Sequence, residues 1–194
     1  MAHSGQTPSQ TVGPYFSMRL GTEGENMLAA PGVPGERIRI VGTVIDGDDN
    51  PVEDALIEIW QANAGGRYRH PDDGRDEIPL DEGFTGFGRA ETDFEKGEFW
   101  LETVKPGGVP DGEGEFQASH LNVVVQAPGM LNPLFTRIYF PDELEANESD
   151  LVLKMVPAER RETLIAGLVD EGAPRVYRFD IKLQGDRETV FFEF

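Results

Sequence analysis

Cysteine is absent from these 194 residues, and histidine nearly so, with three copies. That excludes a disulfide framework, a thiolate metal site and a cysteine nucleophile. It leaves the compartment open, because a secreted protein need not carry disulfides. Cations are scarce as well: 17 Lys and Arg stand against 36 Asp and Glu, a formal charge of −19. Nucleic acid and anionic membranes are bound through clustered Lys and Arg, so neither partner suits this chain. The ordinary reading of the acidity is solubility. No run approaches the roughly 18 apolar residues of a membrane-crossing helix, and no apolar stretch follows Met1, so a cytoplasmic protein is expected. Gly-x-Ser-x-Gly, Gly-x-Gly-x-x-Gly and P-loop signatures are missing too, which leaves hydrolase elbows and phosphate cradles without support.

What is present is glycine and proline, 23 and 14 copies, above average usage and typical of a turn-rich all-β chain. Residues 37–45 alternate, 46–51 form a dense turn signal, and 55–60 give a second strand. The acidic turn 46–49 lacks the spacing and closing Glu of a calcium loop and reads as a solvated hairpin turn. A long connection spans 61–88, of a length that is usually functional or packed on a partner. Strands follow at 89–92, 98–104, 120–126 and 134–140. Short helical turns are expected at 142–147 and 156–161, and a hairpin joins 163–170 to 175–183. The apolar tail 189–194 should be docked. The expected architecture is a β-sandwich of about eight strands with long loops and short helical turns. It occupies residues 36–194 and is preceded by an extended arm, residues 1–35. Tyr15 and Phe16 beside Gly13-Pro14 favour an arm laid on another surface over a disordered tail.

The stretch 98–140 holds the most chemistry. His120 and Asn122 are two apart, so in a strand they share a face. A second His would complete a good ligand pair, but the Asn amide is a poor ligand for transition metals. A three-histidine site would require His3 and His70 to converge on His120, and a hydrogen-bonded strand histidine is the simpler reading. Paired carboxylates remain open among the acids, though each reads better as solvated surface.

The segments 58–68, 86–89, 103–107 and 136–140 resemble intradiol ring-cleaving dioxygenases. Residues 7–15, 160–166, 177–181 and 188–194 resemble the non-catalytic α chain of two-chain members. The resemblance implies a homologous β chain that binds a non-haem Fe(III) through two Tyr and two His. It also implies an (αβ)n oligomer and O2 cleavage of 3,4-dihydroxybenzoate to 3-carboxy-cis,cis-muconate in aromatic catabolism. The four ligand positions correspond here to Asp76, Val109, His120 and Asn122, so one ligand of four survives and no metal is expected in this chain. An Arg of the β chain corresponds to Gln117. Gly13, Pro14 and Tyr15 are expected to wall the partner's substrate site as substrate-binding residues, with no catalytic residue in this chain. Where many α chains carry a substrate-binding Arg, this one has Pro128. Two other readings stay open: a stand-alone sandwich that binds a partner, and an independent enzyme using another metal through His120 and nearby acids.

Overall fold

The computed structural model describes residues 21–112 and 114–193. Strand β1 (Arg37–Ile45) alternates between half-buried and buried side chains along all nine residues, as a strand with one face on a core must. It is the spine of the first sheet. β4 (Glu98–Val104) pairs with it antiparallel on one edge, while β10 (Arg175–Arg178) and β11 (Ile181–Lys182) share the other edge in parallel. β9 (Gly167–Asp170) extends the sheet antiparallel to β10, which gives the expected hairpin. The second sheet runs in the order β3 (Phe87–Glu91), β2 (Leu56–Trp60), β7 (His120–Gln126), β8 (Leu134–Tyr139). Ile38, Ile40, Phe99, Leu101 and Tyr177 from one sheet meet Ile57, Ile59, Leu121, Val123 and Ile138 from the other. The strands of four or more residues are β1–β4 and β7–β10. They form the sandwich that the alternation implies.

The acidic turn is a hairpin turn of a limited kind. The Asp46 carboxylate accepts from the backbone N–H groups of Asp48 and Asn50, which holds its pKa below the usual carboxylate value. The returning chain then bridges β1 only at Ile45 and Pro51 before it crosses to the other sheet. β1 and β2 are therefore neighbours in sequence but lie in opposite layers. After β8 come α1 (Leu144–Ser149), α2 (Leu151–Met155) and a 3-10 helix (Ala158–Leu164). The last of these claims Thr163 and Leu164, which the sequence reading assigned to a strand.

Residues 21–35 lie against their own sandwich. Leu28 donates to Glu102 O and Ala30 to Gly83 O, and Leu28 and Ala29 are buried. The rest of the arm, residues 1–20 with Gly13, Pro14 and Tyr15, falls outside the described residues. At the other end the tail is docked: Phe192 N donates to Phe135 O and Thr136 Oγ1 to Val190 O.

Gly42 marks the tightest strand contact. A Cβ there would stand 1.9 Å from Phe179 O and 2.8 Å from Phe99 Cζ, and neither the backbone nor the packed ring can yield cheaply. Gly42→Ala is expected to cost about 2 kcal/mol of folding stability through overpacking, read by urea unfolding. A variant as stable as the parent would show that the neighbouring chain at Phe179 and the Phe99 ring can shift to make room there.

Candidate functional site

The connection after β2 is organised by Asn63 and Arg67. Asn63 Oδ1 accepts from the N–H groups of Gly65 and Arg67, and Nδ2 donates to Pro79 O and Asp81 Oδ2. The buried Arg67 donates to Ile78 O at 2.6 Å and to Asp76 Oδ1 at 2.7 Å. The loop after β4 packs directly on this turn: Gly107 N donates to Asn63 O, and Ser119 Oγ donates to Pro106 O at 2.6 Å. Gly66 has φ +85°, and a Cβ on it would fall 2.2 Å from Gly108 O, so glycine is required on both counts. This close approach carries Val109, in β5 (Val109–Pro110), and Gln117, in β6 (Phe116–Gln117), to the start of β7.

The result is a cleft of about 450 Å³ whose lining includes Trp60, Tyr68, His70, Arg75, Val109, Gln117, His120 and Arg137. The sheet face beside it is set by strand register, and Trp60 and Arg137 are the members of that face that line the cleft. Phe87, Trp60, Asn122 and Arg137 form one row across the sheet, because Trp60 opposes both Phe87 and Asn122 and Asn122 opposes Arg137. The Trp60 and Tyr68 rings are in contact, tilted by 43° with centroids 4.7 Å apart. Asn122 Nδ2 donates to Trp60 O and to Tyr68 Oη at 3.0 Å, and burial pushes the Tyr68 phenol pKa up.

His120 is only 3% exposed. Its ring lies 2.7 Å through Nδ1 from Ala118 O; a carbonyl only accepts, so Nδ1 carries the proton and Nε2 the lone pair. Burial, reinforced by the Arg137 charge, lowers its pKa to about 4, so the imidazole is neutral at physiological pH. Arg137 Nη1 donates to Gln117 Oε1 at 2.8 Å and to Tyr139 Oη at 3.2 Å. Tyr139 in turn donates to Asp150, which is fully buried and also accepts from the N–H groups of Ala118 and Leu153.

Of the four positions that the resemblance aligned with metal ligands, the cleft brings together Val109 and His120. Asn122 sits one step along the same sheet face, with its amide engaged. Asp76 stands apart on the long loop, its side chain 91% exposed and paired with Arg67. This set does not fit a ferric ion. Val109 offers no donor atom, the Asn122 amide is a weak ligand, and the cleft's remaining donors, the neutral His120 imidazole and the Tyr68 phenol, fall short of the four-ligand set that the resemblance implies. Among the described residues no three His, Asp or Glu side chains are grouped to hold a metal. The carboxylate nearest in the network, Asp150, has its oxygens committed to three donors, which removes the support for another metal using His120 and an acid. Pro128 is exposed in the turn after β7.

Sequence reasoning placed His120 and Asn122 on one face but missed Trp60, Tyr68 and Arg137 as their neighbours. The Gly-Gly-Arg-Tyr run at 65–68 was the available signal for Tyr68, since a tight glycine turn throws the following aromatic back over a strand. Arg137 had none, because its position depends on the β7–β8 register.

A family model described as dioxygenase matches residues 11–185. The protocatechuate 3,4-dioxygenase alpha chain of Burkholderia cepacia is 46% identical, over 97% of this chain and 97% of its own. The beta chain of the same organism's enzyme is 39% identical over 80% of this chain and 67% of its own. Among solved structures, the dioxygenase domain of a dioxygenase–carbohydrate-binding fusion from Streptomyces sp. SirexAA-E superposes with a TM-score of 0.62. It is 29% identical and the match covers 92% of this chain and 97% of that one.

Proposed function

The chain belongs to the intradiol ring-cleaving dioxygenases, and from that premise we propose that it is the non-iron-ligating α chain of a protocatechuate 3,4-dioxygenase. In this reading a homologous β chain holds the non-haem Fe(III) in an (αβ)n assembly in the cytoplasm. The pair cleaves 3,4-dihydroxybenzoate between its hydroxyl-bearing carbons, adding both atoms of O2 to give 3-carboxy-cis,cis-muconate. The observation that carries the assignment is a cleft in which Val109 takes one aligned ligand position beside a single histidine, with Asn122 one step along the same sheet face. A chain with this donor set has no means of holding the ferric ion that the family's chemistry employs.

The test is reconstitution. The purified chain, offered stoichiometric iron, should retain none after desalting and should not consume protocatechuate. Mixing it with the iron-loaded β chain should restore turnover. Ring cleavage by the partner-free chain would overturn the reading.

The arm is the second part of the proposal. Gly13, Pro14 and Tyr15 would wall the partner's substrate site, with the Tyr15 phenol donating a hydrogen bond to the bound ring. In the assembled enzyme, Tyr15→Phe should raise KM for protocatechuate by about fivefold, the worth of one neutral hydrogen bond. Assembly, read by gel filtration, should not change. An unaltered KM would leave the arm as packing alone. Pro128 offers no charge to the substrate carboxylate, so in this reading either another cation serves or the substrate contact differs.

A further inference from the structure

We propose that in the free chain the arm folds back on its own body: residues 12–19 cross the outer face of the second sheet, with Tyr15 and Phe16 seated in a groove beside Trp60 and Phe87. The contact stands on this chain alone. Only its release rests on the reading above, since an arm that serves a partner's substrate site must first leave its own. The face is apolar surface of a kind that soluble chains seldom leave open. Trp60 and Phe87 oppose each other on β2 and β3 and are each 43% exposed. With Val124 and Phe192 they line a groove of about 410 Å³. Its polar members are already engaged: Glu58 accepts from Arg89 Nε at 2.7 Å, and Asn122 Nδ2 donates to Trp60 O. What remains is ring surface, which other rings cover well.

Three observations select the arm as the occupant. The first is where the described chain begins. Residues 21–30 run along the edge strand β3, with Arg89 N donating to Glu25 O and Ala30 N to Gly83 O. They bring Gly21 against Glu91, where a Cβ would fall 2.0 Å from the carboxyl carbon. Glu91 alternates with the buried Ala90 and so shares the outer face with Phe87. The arm therefore departs from this face, and Gly21, without a side chain, lets it double back. The second is reach. Phe87 lies four residues along β3 from Glu91, about 13 Å, and Trp60 is one strand further, about 5 Å sideways. Phe16 precedes Gly21 by five residues, about 17 Å of extended chain, which spans that gap. The third is charge. Residues 1–20 hold no Asp or Glu, and their one Arg is Arg19, two positions before Gly21. Glu91 Oε1 is buried without a partner among the described residues, and burial, with Asp54 and Glu25 close by, pushes its carboxyl pKa up. A guanidinium at Arg19 supplies the missing counter-charge.

Acrylamide quenching on the full-length free chain tests this. Trp100→Phe, on the opposite sheet, leaves Trp60 as the remaining tryptophan of two. In that background Trp60 should be quenched about half as readily as in the same protein carrying Tyr15→Ser and Phe16→Ser, with Glu91→Gln falling between. A second measurement covers the case that Trp100→Phe misfolds. In the otherwise unaltered chain, trypsin cleavage after Arg19 should be several-fold slower than in the chain lacking the two rings. Equal quenching and equal cleavage with and without the rings overturn the proposal. So does protection of Trp60 that appears only when the β chain is added, since the face then belongs to the partner. Protection that fades on dilution would place the arm on a second copy, and overturns it as well. None of these readings requires turnover, so failure here is separate from failure of the reconstitution.

Discussion

Replacing Asp150 with alanine is expected to remove about 4 kcal/mol of folding stability, the scale for stripping the acceptor from a buried charged network. The residue is 0% exposed and its two oxygens take three donors. Ala118 N–H approaches Oδ2 at 2.9 Å; Leu153 N–H and Tyr139 O–H approach Oδ1 at 2.8 and 3.2 Å. These donors come from three places: the strand end before His120, the first turn of α2, and the last residue of β8. One carboxylate therefore caps a helix and fastens it to the sheet beneath. Alanine would leave all three donors buried and unsatisfied. Asparagine keeps the shape but turns an N–H2 toward a backbone donor, so Asp150→Asn should cost about half as much. Equilibrium urea unfolding checks both, and a loss below about 1 kcal/mol for the alanine variant would mean that water replaces the carboxylate. Because Tyr139 also accepts from Arg137, the alanine variant should loosen the cleft along with the helix.

Asp150 illustrates what the sequence conceals. In the chain it is one acid among 36, between two short helices, and a solvated surface position is the natural reading. Its role arises only when Ala118, Tyr139 and Leu153 are brought together by the β7–β8 pairing. The sandwich itself was far more legible. The alternation in β1 survives because Arg37, Arg39 and Thr43 face outward while Ile38, Ile40 and Val44 face the core, a period-2 signal that needs no knowledge of partners. The shared face of His120 and Asn122 was legible for the same reason. Pairing was not: the tight turn at 46–50 suggests that β1 and β2 are neighbours in one sheet, yet β1 takes β4 and β10 and β2 takes β3 and β7. Register and layer assignment are decided by which faces can be buried together. For the same reason Arg137 reaches the cleft through the β7–β8 register.

The burial of His120 has a physical consequence of its own. A protonated imidazole at this depth would sit beside the Arg137 guanidinium with Nδ1 fixed on a carbonyl. The site therefore holds the ring neutral, and stability must depend on pH in a definite direction. The folded-state pKa, about 4, is below the unfolded value of about 6.5. Between these two values the unfolded chain binds the proton that the folded chain refuses, so stability rises with pH there. The contribution is complete above pH 6.5 and falls away as the pH drops toward 4, by about 3 kcal/mol in total. Asp73, held down at about 2 chiefly by its Arg75 hydrogen bond, acts in a lower window. Its contribution is present above pH 3.8 and is lost only as the pH falls through 2, so the two do not overlap. Urea unfolding of the parent and of His120→Gln at pH 7, 5.5 and 4.5 isolates the histidine, because every other titrating group cancels in the difference. The parent should lose ground to the variant steadily across that series. Parallel curves would mean that His120 accepts its second proton in the folded state, and that the cleft is wetter and more polar than its Trp60, Tyr68 and Val109 walls imply.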